Sequence, residues 1–355
     1  MFVTNKASLR RSLQQCLASL PGDIRLYTTA MFARDVHRVL GVLHYTKVNL
    51  IGGSYGATAA QVYQRFYPKQ VRTMTLLGGS LLDVPIFERW ETSSQQALDQ
   101  VFSRCGQGIL CHRAFPKLDS EWSGLRASIA ASLVIVPAKD SPTQTRQEVT
   151  SDVLANQVHE ALLSSNVATD LPVVIHALAT GSSRGATLGE IGKLLAAAES
   201  GESQATSMIT YPIRCDEPWA RFDPSQVSGK NESFDSETTL ESSQWWKYVC
   251  SLIPESANAA YCPPATKSDV AVLMINGSAD PQDPPANMAG ASNMWPLSRL
   301  IVLPAQSHHF YIPDCEGQLI ASFVAEVNPA DLDTSCLSES QPPLFPTRVS
   351  ALSGS

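Results

Sequence analysis

Lys47-Val48-Asn49-Leu50-Ile51-Gly52-Gly53-Ser54-Tyr55-Gly56-Ala57-Thr58-Ala59-Ala60-Gln61-Val62-Tyr63 is the stretch that decides how this chain is read. The run Lys47–Ile51 suits a buried strand, and Ala57–Tyr63 is made of helix-forming residues. Between them Gly52-Gly53-Ser54-Tyr55-Gly56 spells G-x-S-x-G. Strand, sharp turn and helix in that order make a nucleophile elbow, which lifts a serine hydroxyl out of a sheet and sets it at a helix start. There the main-chain N–H groups and the helix dipole favour a developing negative charge. Small residues flank the serine because the turn is tight, so a Cβ at Gly52 or Gly56 is expected to collide with the adjoining strand or helix.

Outward from the elbow, Ser8–Leu20 has the spacing of a short amphipathic helix, broken by Pro21-Gly22-Asp23. Ala30–Leu43 is a second helix with Val36, Val39, Leu40 and Leu43 on one face. Val71–Leu77 is a strand closed by Gly78-Gly79. Strand–helix–strand in this rhythm predicts a parallel sheet with helices on its faces, an α/β fold. The sheet resumes with Val270–Asn276 and Ser298–Leu303, with helical residues near Ala286–Met288 and a last helix over Gln318–Val327.

Helical spacing dominates in between, at Ser94–Ser103, Gln147–Ser164, Leu171–Thr180 and Thr187–Ala198, while Ser225–Ser243 reads as a polar loop. The expected division is a core over residues 1–84, an inserted helical cap over 85–267, the rest of the core over 268–336, and a loose Ser- and Pro-rich tail over 337–355.

A length of 355 residues with 44% hydrophobic content is ample for a large single core, or for a core plus a cap. A net charge of −7 without a Lys/Arg cluster argues against nucleic acid as a partner. No apolar run approaches the roughly 18 residues that span a bilayer. Met1–Leu20 carries Lys6, Arg10 and Arg11 without the apolar centre of a signal peptide. Eight cysteines, some in close pairs such as Cys105 with Cys111 and Cys250 with Cys262, lack zinc-site spacing. A disulfide framework in an oxidising compartment is the better reading, with scattered buried thiols as the alternative.

A serine hydroxyl needs a base within hydrogen-bond reach, and the base needs an orienting carboxylate. In the order Ser, acid, His, both follow the elbow at strand ends. Val270–Asn276 runs into Gly277-Ser278-Ala279-Asp280-Pro281-Gln282-Asp283, and Ser298–Leu303 runs into Pro304-Ala305-Gln306-Ser307-His308-His309. Asp280 sits just past its strand, where open α/β sheets gather ligands, with Asp283 as competitor for the acid role. His308 and His309 share a loop, and only one can face the serine. His37, His44, His112, His159 and His176 are weaker candidates for the base.

The residues from Tyr27-Thr28-Thr29 through Asp35, Leu40-Gly41, the elbow and Tyr67-Pro68 resemble the tripeptidyl aminopeptidase-like branch of the α/β-hydrolases. So do Gly277-x-x-Asp280-Pro281, Pro284-Pro285, His308, Cys315, Phe323 and Leu332-Asp333-x-Ser335-Cys336. The resemblance implies an α/β-hydrolase core with a helical cap, Ser54 as nucleophile, Asp280 as acid, His308 as base, and no metal or organic cofactor. Tyr55 N–H is the expected oxyanion donor. Ser307 and His309 stand where the family usually has glycines.

The resemblance further implies an exported hydrolase of peptides with a free amino terminus, and disulfides Cys105–Cys111 and Cys315–Cys336. Arg214-Cys215-Asp216-Glu217 matches a family Cys-x-Glu pattern, which makes Glu217, then Asp216, the candidate carboxylate for the substrate's α-amino group. It also implies strands upstream of the residues matching Met1, including a glycine-rich loop with a second oxyanion donor. No such loop precedes the elbow, so the expectation is a core without its N-terminal strands, with gene-model truncation as the explanation. An esterase or amide hydrolase with the same triad, or a non-catalytic remnant acting as a binding module, stays open as an alternative.

Overall fold

The computed structural model describes residues 6–20, 22–84, 86–131, 134–137, 146–149, 151–180, 210–215, 223, 234, 244–256, 266–308, 315–339 and 342–348. Among the described residues, four strands form one wholly parallel sheet, so the three connections between successive strands are crossovers. β1 is Val48–Gly53, β2 is Val71–Leu77, and two later strands, Ala271–Gly277 and Ser298–Leu303, complete the order. Between them in sequence lies a two-stranded antiparallel hairpin, β3 (Val134–Pro137) with β4 (Arg146–Val149), so the later sheet strands are β5 and β6.

Helices cover both faces of the sheet, as buried parallel strands require. On one face Met74, Leu76, Val272 and Met274 pack against α2 (Thr29–Val42) and α3 (Tyr55–Phe66) through Ala33, Ala57, Ala60, Val62 and Tyr63. On the other, Leu273, Ile275, Ile301 and Leu303 meet Leu319 and Phe323. Full burial of each such side chain contributes about 1.5–3 kcal/mol. α2 starts where Thr28 caps it, its side chain accepting from Met31 N–H at 3.2 Å. β1 lies at a sheet edge, where Ile51 is 55% exposed. α1 (Lys6–Ser19) lays Leu9 and Leu13 against Val249 and Ile253 instead of against the sheet.

A second apolar core is built by α4 (Ile86–Gln107), α5 (Ile109–Ala114), α6 (Leu118–Ala131), α7 (Ser151–Leu162), α8 (Ser165–Ala168) and α9 (Leu171–Thr180). Leu98, Trp122, Leu162, Ile175 and Leu178 are its buried anchors. This helical layer touches the sheet where β5 and β6 end: Gln100 Nε2 donates to Ser278 O at 2.7 Å, and Ser307 N–H donates to Ser165 Oγ at 2.8 Å.

The described elements differ from the sequence reading in places. The helix expected over Ser94–Ser103 runs over Ile86–Gln107. The helix expected from Gln147 begins at Ser151, because Arg146–Val149 pairs as β4. The last helix, α10, begins earlier than expected, at Cys315, and ends at Glu326. Residues 342–348 of the expected loose tail are seated on the helical layer: Arg104 donates to Pro343 O at 2.9 Å, and its guanidinium lies 4.8 Å over the Phe345 ring. The helix expected at Thr187–Ala198 lies outside the described residues.

Cysteine pairing follows the packing. Cys105–Cys111 and Cys315–Cys336 are disulfides, and Cys215 takes Cys250. Cys262, the sequence neighbour of Cys250, lies outside the described residues. Three disulfides fit an extracellular protein. Among the described residues no helix is long and apolar enough to cross a membrane.

Candidate active site

The elbow joins β1 to α3. Ser54 has φ 52° and ψ −121°, a left-handed conformation that costs a non-glycine residue energy and marks a strained turn. Its N–H is tied to Leu77 O at 2.9 Å, which anchors the turn to β2. Gly52 makes the turn possible: a Cβ there would lie 2.1 Å from Gly56 O and 2.8 Å from Ala57 N. The expectation for Gly56 is corrected, because a Cβ there meets nothing within 4 Å. The close approach is between the Gly52 side-chain position and the Gly56 main chain, so only one of the two glycines is required.

Asp280 follows β5 and is 1% exposed. Its Oδ1 accepts from the N–H groups of Gln282 and Asp283 at 2.9 and 2.8 Å, which locks the carboxylate into its own turn. That leaves Oδ2 for His308 Nδ1, 2.9 Å away. Gly277 lets the two loops meet, since a Cβ on it would lie 2.2 Å from Gln306 O. His308 follows β6 and is 6% exposed, with Nε2 2.9 Å from Ser54 Oγ. A neutral imidazole protonated at Nδ1 therefore donates to Asp280 and accepts from the Ser54 hydroxyl. Burial opposes a charge on His308, but the hydrogen bond and charge of Asp280 and the charge of Asp283 outweigh it and raise the pKa above the usual histidine value.

Tyr55 opens α3 beside Ser54, and its hydroxyl shares a 2.6 Å hydrogen bond with Thr29 Oγ1. Asp216, Glu217 and His309 lie outside the described residues. So the structure brings Ser54, Tyr55, Asp280 and His308 together.

Three further residues stand around this arrangement, and of them only Ser80 has no signal in the sequence. Asp283, read as the competing acid, stands beside Asp280, with Oδ2 3.7 Å from His308 Nδ1. Ser80, just past β2, donates to Asp283 Oδ1. His159, read as a weaker candidate for the base, is buried at 3% exposure, its Nε2 accepting from Trp90 Nε1 at 2.6 Å and its Nδ1 2.8 Å from Ser94 Oγ. Burial, with the nearby charge of His308, lowers its pKa to about 3, so it is neutral at ordinary pH. Its sequence signal is its place on an apolar helix face beside Leu154, Val158 and Leu162.

Residues 13–109 match the α/β hydrolase fold family, and residues 237–336 match the family described as TAP-like protein. Ser54 falls in the first match, and Asp280 and His308 in the second. No curated protein sequence matches the chain. Among solved structures, an epoxide hydrolase mutant from Bacillus megaterium is 14% identical, covering 86% of this chain and 79% of its own, with a TM-score of 0.38. A meta-cleavage product hydrolase from Pseudomonas fluorescens IP01 is 11% identical, with 85% and 73% coverage and a TM-score of 0.39. An α/β hydrolase from a Medee basin deep-sea metagenome is 11% identical, with 87% and 75% coverage and a TM-score of 0.38.

Proposed function

Because the chain belongs to the tripeptidyl aminopeptidase-like branch of the α/β-hydrolases, we propose that it is an exported serine peptidase. It cleaves peptides near a free amino terminus through an acyl-enzyme. The observation that carries the chemistry is the unbroken path from Ser54 Oγ to His308 Nε2 and from His308 Nδ1 to Asp280 Oδ2, each step 2.9 Å.

Along that path His308 takes the Ser54 proton as the oxygen attacks the carbonyl carbon, and Asp280 steadies the imidazolium that forms. The oxyanion develops at the N-terminus of α3, where Tyr55 N–H is the donor that this reading assigns. His308 then gives its proton to the leaving amine. Water repeats the sequence in reverse and frees Ser54.

The amino-terminal preference rests on the TAP-like match and on the chemistry of recognition. A free α-amino group is a cation, and in this reading Glu217, with Asp216 beside it, meets it from the cap over residues 85–267. The three disulfides support the assignment to an oxidising compartment.

The test is a set of peptide amides, each offered with a free and an acetylated amino end, against the protein and its Ser54→Ala variant. Cleavage of the free series alone, lost in Ser54→Ala and weakened in Glu217→Gln, is the expected result. Equal cleavage of both series overturns the amino-terminal reading and favours a general amide or ester hydrolase.

A further inference from the structure

Two carboxylates face Nδ1 of His308. Asp280 Oδ2 takes its hydrogen bond at 2.9 Å, and Asp283 Oδ2 stands at 3.7 Å. A serine–histidine–acid relay needs only one of them. Asp283 is also buried, which is costly for a carboxylate unless neighbours compensate. The neighbours are in place. Ser80 Oγ donates to Oδ1, and Gln282 Nε2 donates to Oδ2 at 3.2 Å. Asn276 Nδ2 donates to the Asp283 carbonyl oxygen at 2.8 Å. Ser80 Oγ in turn accepts from Asn287 Nδ2 at 2.9 Å, and Asn287 Oδ1 accepts from Arg89 Nη1 at 3.0 Å.

We propose that Asp283 is a positioning residue that acts through His308: ionised, it joins Asp280 in holding the imidazole protonated, and protonated, it lets the imidazole return to the neutral base. The inference rests on the reading of Ser54, His308 and Asp280 as the relay.

Burial and the charge of Asp280 push the Asp283 carboxyl up to about 6, against the pull of His308 and the hydrogen bonds of Ser80 and Gln282. Against burial, the hydrogen bond and charge of Asp280 and the charge of Asp283 raise His308 from its ordinary value, so the charge on His308 and the charge on Asp283 depend on each other. The other groups around them are Asp280, which holds Nδ1, and His159 on the helical layer, which is neutral in this range. Arg89 approaches through Asn287. The consequence is an acid limb of activity set by two carboxylates acting on one histidine.

The experiment is the rate at which a fluorophosphonate modifies Ser54, followed from about pH 5 to about pH 8, where histidine changes charge. This readout needs no knowledge of the natural substrate. Asp283→Asn is expected to move the midpoint of the acid-side fall to lower pH by about one unit, a tenfold gain in neutral His308 well below the midpoint. Ser80→Ala keeps both carboxylates but removes a bond that favours ionised Asp283. It moves the midpoint the same way by less, and it decides the matter if the Asp283 variant does not fold. A merely structural role would lower Tm or the plateau rate and leave the midpoint where it was. An unmoved midpoint in folded variants overturns this inference alone, whereas no labelling of Ser54 in the unmodified protein overturns the relay and this inference with it.

Discussion

Ser54 Oγ lies 2.9 Å from Nε2 of His308, although 254 positions of chain separate the two residues. The parallel sheet closes that gap. β1 and β6 run the same way, separated by β2 and β5, so the loops after β1, β5 and β6 open at one end of the sheet. A helical layer then rests on the same loops through Gln100–Ser278 and Ser165–Ser307.

Asp280 holds the His308 tautomer through its Oδ2. Asp280→Asn is isosteric, yet it offers an amide where an anion is needed. The expected result is a fall in kcat of about 10⁴-fold with the fold intact, measured by steady-state kinetics beside circular dichroism. A loss of less than tenfold would remove Asp280 from the relay.

The two glycines of the elbow are not equivalent. Gly52→Ala places a methyl 2.1 Å from Gly56 O and is expected to abolish activity and lower Tm. Gly56→Ala meets open space inside α3 and is expected to stabilise the helix by up to about 1 kcal/mol. Thermal melts of both variants check the contrast.

His159 stays neutral in the folded protein because burial holds its pKa near 3, whereas the unfolded chain takes up a proton at the ordinary value of about 6.5. Its contribution to stability is therefore fully present above about pH 6.5 and is lost as pH falls toward 3. Asp283, raised to about 6, acts oppositely from its ordinary value upward, so the comparison must be between variants. His159→Gln is expected to flatten the acid-side loss of stability, read by denaturant titration at several pH values. An unchanged slope would contradict the neutral, buried His159.

The disulfides close loops of different length, with sequence separations of 6, 21 and 35 for Cys105–Cys111, Cys315–Cys336 and Cys215–Cys250. By loop-closure entropy, they contribute about 2, 3.5 and 4 kcal/mol in that order. Paired Cys→Ala variants are expected to lose stability in the same order, with the Cys215–Cys250 pair most damaging. Denaturant midpoints check it.

The elbow and the Asp280 and His308 loops were legible in the sequence because each follows an apolar strand and ends in a turn residue. Asp283 could be named only as a rival of Asp280. That both face one imidazole nitrogen depends on the turn at Asp280 Oδ1, which spacing does not reveal. The β3–β4 hairpin does not stand out in the sequence, because its strands are four residues each and Gln147–Val149 continues the helical spacing of the residues after it. Cys250 looks toward Cys262 in sequence, but helical residues 210–215 and 244–250 bring Cys215 to it. Helical ends moved outward from the expected ones where tertiary packing extends a weak local signal, as at Ile86–Gln107.

The most direct test of the central claim is mass spectrometry of the intact protein after fluorophosphonate treatment. A single adduct on Ser54, absent in Ser54→Ala and in His308→Ala, is the predicted result. Folded protein that carries no adduct, or carries it on another residue, would contradict the assembled serine–histidine–aspartate site.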